Sequence, residues 1–178
     1  MEQKSETVVS VSMLKLNVWV LAASIVLLVG VGLLHVLLFG EASLTVTFSG
    51  LLLFFIAMMV IVCLHEVIHL VGFRYIGGVS RQELAWGFNW KMGVVYAHAK
   101  KPITVEQMQK VLLLPLVPTG LLPMVLGVAL DHFSLSILGV LLTAGCFGDF
   151  VLYRKLSKFP GHATVLDHPS KPEFTVYE

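Results

Sequence analysis

Residues 47–73 read TFSGLLLFFIAMMVIVCLHEVIHLVGF, and they announce both the class of molecule and the chemistry to look for. The first 18 residues of the run, Thr47 to Leu64, carry no charge. A helix needs roughly 20 apolar residues to cross a hydrocarbon core of about 30 Å, so the run reads as a membrane span. Its last third then breaks the pattern with His65-Glu66-Val67-Ile68-His69, before Arg74 ends it. Ionisable groups inside a bilayer are costly, and they mark function by default.

The rest of the chain agrees with a membrane assignment. Of its 178 residues 57% are hydrophobic and only 13% charged, about half the usual charged quarter of a globular domain. A water-soluble fold has too little interior to hide so much apolar surface. Soluble enzymes, disordered tails and nucleic-acid binders are thereby excluded. Three further stretches are long enough to span, giving four in all: about 16–39, 47–73, 111–130 and 133–153. The first is too long for a signal-peptide core and lacks a convincing cleavage site. Loops 40–46 and 131–132 are too short to hold a domain, so spans one and two, and three and four, read as antiparallel hairpins. The expected fold is an all-α integral membrane protein, one domain over residues 1–178, with a small β-hairpin between the second and third helices.

Orientation follows from the basic residues. Lys4 and Lys15 precede span one; Arg74, Arg81, Lys91, Lys100, Lys101 and Lys110 lie between spans two and three; Arg154, Lys155, Lys158 and Lys171 follow span four. All 12 fall on one side of a four-span topology. Both termini, and the hairpin, are expected to be cytoplasmic. Net charge, at +1, says nothing about partners. Cys63 and Cys146 lie in apolar segments and suggest packing rather than a disulfide framework.

Within residues 84–99, Trp86, Phe88 and Trp90 recur at period two, and Lys91-Met92-Gly93 supplies a turn before the β-prone Val94-Val95-Tyr96. This predicts a hairpin with one aromatic face, a feature suited to the membrane–water interface. Residues 103–110 suggest a short amphipathic helix leading into span three. The tail, 154–178, carries Pro160, Pro169 and Pro172 and is expected to be largely extended.

The H-E-x-x-H sequence carries the chemistry. Positions i and i+4 share a helix face, so His65 and His69 can grip one Zn²⁺, with Glu66 as general base toward its water. A catalytic zinc usually takes a third protein ligand. At about 1.5 Å per residue, His69 lies about 7.5 Å from Arg74, and Asp149 lies equally far from Arg154. Asp149 is the only acid within spans three and four, and its depth matches. His98, at the end of the hairpin, is an alternative ligand or a substrate contact. Glu83, Glu106, His162 and His168 are looser candidates, and Cys146 is a minor one. His35, Asp131 and His132 sit toward the opposite surface. Pro115, Pro118 and Pro123 break span three; they read either as a simple kink or as a route for water and substrate, since prolines free backbone carbonyls. Gly145 and Gly148 are expected to let helix four approach helix two.

This layout resembles the membrane zincin peptidases, a bacterial family, and more distantly the site-2 protease class of intramembrane metalloproteases. The resemblance covers about residues 45–155. It implies His65 and His69 as metal ligands, Glu66 as catalytic acid–base, Asp149 as the aspartate ligand, and a place in the bacterial cell membrane. It departs from site-2 proteases around the aspartate, which stands here in Gly148-Asp149-Phe150 rather than Leu-Asp-Gly, and no PDZ-like insertion is present.

The expected activity is a zinc-dependent, membrane-embedded peptidase acting on peptide or membrane-protein substrates. Val94, Val95, Tyr96 and His98 would bind substrate added to the hairpin as an extra strand. Two other readings stand beside it: a non-catalytic scaffold whose zinc ties helices two and four together, and a small metal transporter or sensor. Transport asks for ionisable groups across the whole membrane depth, and only His35 lies in the outer half.

Overall fold

The structure is a computed structural model that describes residues 6–89, 94–168 and 173–178. Among these, four helical segments are long and apolar enough to cross a membrane. Helix α1 is Met13–Phe39 and α2 is Phe48–Tyr75. The third segment begins as α3 (Val105–Leu113), passes through a widened turn at Leu116–Leu121, and continues as α4 (Leu122–Ala129). The fourth is α5 (Phe133–Gly145) and α6 (Phe147–Leu156), which meet at Cys146. The chain is a multi-pass integral membrane protein.

Local sequence explains where these helices start. Thr47 caps α2 by accepting from the Gly50 N–H at 3.1 Å. Thr104 and Gln107 cap α3 reciprocally, at 3.2 Å and 2.9 Å. Satisfying otherwise orphaned N–H groups in this way fixes the first turn. The short helix expected over 103–110 thus begins at Val105, two residues later, and leads into span three.

Helix α1 packs chiefly on α5, and α4 also lies against α5. The α4–α5 contact depends on small residues. A Cβ at Gly127 would sit 2.3 Å from the Ser136 backbone nitrogen, and one at Gly139 would sit 2.1 Å from that of Met124. Close backbone approach of this kind drives helix association where lipid offers no hydrophobic gain. Gly145 and Gly148, expected to let span four approach span two, instead meet open space and an ordinary contact with Leu16 of α1.

Two sheets gather at one end of the bundle. Strands β2 (Leu84–Asn89) and β3 (Val94–Ala99) form the expected antiparallel hairpin. Its proposed Lys91-Met92-Gly93 turn and Trp90 lie outside the described residues. Trp86 and Phe88 are both exposed on the same face, in keeping with the aromatic face. The second sheet corrects the all-α expectation. Strand β4 is Ile103–Thr104, and the tail is not simply extended but supplies β5 (Thr164–Asp167) and β6 (Glu173–Tyr177). Near the N-terminus, β1 (Glu6–Ser10) joins them in the antiparallel order β1-β6-β5-β4. Alternation drives this sheet: Val165, Phe174 and Val176 turn inward onto Met108, Val111 and Leu156, while their neighbours stay half-exposed. The main buried core lies under this sheet, since the span flanks face lipid and need no protein cover.

At the other end, His35 is fully buried, with its Nε2 2.9 Å from Ser136 Oγ.

Candidate metal centre

One helical turn separates His65 from His69 on α2, and their rings meet nearly perpendicular, with centroids 4.8 Å apart. Their Nε2 atoms are 3.1 Å apart. Asp149, in the first turn of α6, places Oδ2 3.2 Å from His65 Nε2 and Oδ1 3.6 Å from His69 Nε2. Among the described residues this is the one group of three or more His, Cys, Asp or Glu side chains whose donor atoms converge, all within 4.8 Å.

The opposite ring nitrogens are tied down. His69 Nδ1 lies 3.1 Å from the Val111 carbonyl, and His65 Nδ1 lies 3.2 Å from Thr119 Oγ1. The Thr119 hydroxyl in turn donates to the Pro115 carbonyl at 2.7 Å. A carbonyl only accepts, and a hydroxyl whose hydrogen is already given can only accept as well. Both histidines must therefore donate from Nδ1, and in the neutral rings both Nε2 atoms present lone pairs. Two lone pairs and a carboxylate facing one another at about 3 Å form an arrangement that repels itself unless a cation sits between them. A tetrahedral ion with bonds of about 2.0–2.1 Å spaces its ligands about 3.3–3.4 Å apart. The 3.1 Å between the imidazole nitrogens and the 3.2 and 3.6 Å to the two carboxylate oxygens lie close to that value, so the three side chains can close on a zinc-sized metal.

The other candidates separate cleanly. Cys146 Sγ approaches His65 at Nδ1, 3.8 Å away, and bonds the Leu142 carbonyl; it stands on the wrong nitrogen to join the cluster. Glu83 is held by Ser80, accepting from its hydroxyl at 2.7 Å and its N–H at 3.2 Å, and these bonds pull its carboxyl below the usual range. Glu106 pairs with Lys110 at 2.7 Å on the surface. His162 and His168 are not in the cluster. His98 is buried, and its Nδ1 faces Asp167 Oδ2 at 3.4 Å.

Beside the cluster opens a cavity of about 160 Å³, lined by Glu66, His69 and Asp149 and walled by Val95, Tyr96 and Ala97 of β3. Side chains alternate across a strand. Three consecutive residues lining one cavity therefore mean that β3 meets it edge-on, its other edge being taken by β2. Glu66 lies close to the Ala97 backbone N–H. Of the four hairpin residues expected to bind substrate, Val95 and Tyr96 line the cavity, His98 is engaged with Asp167, and Val94 pairs with Asn89. The far wall comes from the tail, through Asp167 and Phe174. Burial pushes the Asp167 carboxyl above its ordinary range, with His98 opposing.

Over residues 58–164 the sequence matches a protein family described as "Putative zincin peptidase". The chain belongs to this family. The zincin peptidase match spans the three cluster residues and Glu66, together with both strands of the hairpin, and it takes in more than half the chain. Strand β1, helix α1 and strand β6 fall outside it, as do Asp167 and Phe174. No curated protein and no solved structure matches the chain.

Sequence reasoning did not single out Thr119, Asp167 or Phe174. Thr119 carried a signal, being the one polar side chain between Lys110 and Asp131. The other two had none, because nothing local tells which loop the tail will cover.

Proposed function

We propose that the protein is a zinc-dependent membrane peptidase whose metal is held by His65, His69 and Asp149. The observation that carries this reading is the convergence of the His65 and His69 Nε2 atoms on one carboxylate beside a cavity lined by Glu66. Two imidazoles and a carboxylate are an ordinary catalytic zinc set, which leaves a fourth position for water. Among the described residues the cluster has three members, which favours catalysis over a scaffold site that fills all four positions.

Bound zinc supplies Lewis acidity, lowering the pKa of water toward 7 and polarising a scissile carbonyl. Glu66 takes the attacking water's proton and later passes it to the departing amine. The β3 edge at Val95–Ala97 pairs with an extended substrate through its backbone, and Tyr96 and His98 contact the added strand's side chains. Adding as a strand requires a helical substrate to unwind locally, which exposes the peptide bond to attack. The one-sided distribution of the basic residues supports a cytoplasmic side for both termini, the sheets and the cavity. Substrates are then membrane proteins or membrane-proximal peptides. The H-E-x-x-H motif on one span, with an aspartate from a later span, is the arrangement that site-2-like proteases use.

The test is Glu66→Gln in the purified full chain, assayed for bound zinc and for cleavage of a quenched-fluorescent peptide library. A peptidase keeps its zinc at wild-type stoichiometry and loses turnover by about 10²–10⁴-fold, the usual worth of a general base. Zinc bound with no cleavage by either protein favours the scaffold reading.

A further inference from the structure

Span three is broken where it passes the histidines, and the break does specific work. In an uninterrupted helix the Val111 carbonyl would accept the N–H of residue 115. Residue 115 is proline and has none. Val111 O receives only a tight-turn bond from Leu114 N at 3.3 Å, and its remaining capacity takes His69 Nδ1–H at 3.1 Å. The Pro115 carbonyl is also engaged. It accepts from Thr119 twice, from N–H at 3.0 Å and from Oγ1–H at 2.7 Å, and so leaves the Thr119 oxygen able only to accept from His65 Nδ1.

The turn that carries Thr119 is fixed in place. Its backbone is wound one residue wider than an α-helix, with Leu122 N–H reaching back to Val117 O. Widened turns of this kind recur at functional sites. Thr119 is 1% exposed. A Cβ on the adjacent Gly120 would lie 2.9 Å from Thr143 Oγ1 and 3.0 Å from its Cα, so the turn is seated directly on α5.

We infer that Pro115 is a shared positioning residue for both metal-binding histidines. Its missing N–H frees the acceptor that orients His69, and its carbonyl, acting through Thr119, orients His65. The proline thus sets the tautomer of both rings from a helix that contributes no ligand. This rests on the metal reading above, and second contacts of this type are worth about 10–100-fold in metal affinity.

The experiment is chelator competition for zinc on the full chain in detergent, paired with ¹⁵N imidazole spectra of the metal-free protein. Thr119→Val keeps the shape and removes the hydroxyl; it should weaken zinc binding by about 10–100-fold, and Thr119→Ser should restore it. Pro115→Ala returns an N–H to Val111 O and should weaken binding as well. In the metal-free wild type both rings should carry a hydrogen-bonded proton on Nδ1, whichever Nε2 shares a proton with Asp149, and Thr119→Val should lose that Nδ1 hydrogen bond at His65 alone. Unchanged affinity in Thr119→Val, a loss that serine does not rescue, or a wild-type ring without a proton on Nδ1 would overturn the inference. A wild type that binds no zinc but shows both Nδ1–H forms would sink the metal reading and leave the positioning intact.

Discussion

Two buried histidine clusters occupy opposite ends of the same bundle, and they solve the same problem in opposite ways. At the far end His35 stands between Ser136, 2.9 Å from Nε2, and Asp131, 3.4 Å from Nδ1 but without hydrogen-bond alignment. The order Ser–His–Asp invites a catalytic reading, and packing refuses it. Ser136 is fully buried, Gly127 presses against it, and Phe133 meets the imidazole edge-on. That cluster is a pin between α1 and α5: Nε2 pairs with Ser136 Oγ, while Nδ1 faces the exposed Asp131 carboxylate without a hydrogen bond. At the other end the Nδ1 atoms of His65 and His69 are satisfied, while both Nε2 atoms face a carboxylate across a gap beside a cavity. Among the described residues, His35 has no second ligating group turned toward it within the bundle, whereas two imidazole nitrogens and a carboxylate converge at the other end and together can hold a metal ion.

The sharpest way to break this contrast is to remove one member from each cluster. Asp149→Ala should abolish zinc binding in the purified protein, from about one ion per chain, the load of a single site, to none. His35→Ala should leave the stoichiometry untouched. Equal metal loss in both variants, measured by elemental analysis, would erase the distinction. A smaller effect follows on stability. His35→Ala strands the Ser136 hydroxyl in a dry interior and should cost about 1–3 kcal/mol, read as a lower unfolding midpoint in detergent.

The smallest effect concerns Asp167, a largely covered acid in the cavity wall. Its folded pKa is raised by burial, so the folded state favours the protonated carboxyl. The stability this group contributes is present at low pH and is lost as pH rises through the raised value. Asp167→Asn should therefore match or exceed the wild type in thermal midpoint at pH 7, and the difference should shrink as pH falls toward the ordinary carboxylate range. A variant that is less stable at pH 7 and no better at low pH would show that His98 depends on the charge.

Much of this was legible in the chain itself. Uncharged runs of the right length give the four spans, since a bilayer admits little else. Asp149 could be matched to the histidines because His69 and Asp149 each stand five residues before an arginine that marks the end of a span. The tail sheet was not legible. Strand β1 pairs with β6, Glu6 facing Tyr177, and no local periodicity encodes a partner so distant. The purpose of the prolines was half legible. Freed carbonyls were expected, but that one of them would hold an imidazole depends on how α2 and α3 pack.

The pairing of β1 with β6 also bears on biogenesis. A nascent chain that has threaded its four helices already possesses both imidazoles and the aspartate. It lacks the cavity's far wall until the ribosome has delivered Phe174 and its neighbours. Closing so long a loop comes late in folding, because non-local contacts must first offset its entropy. The cavity's lining is thus complete only once the tail has been made.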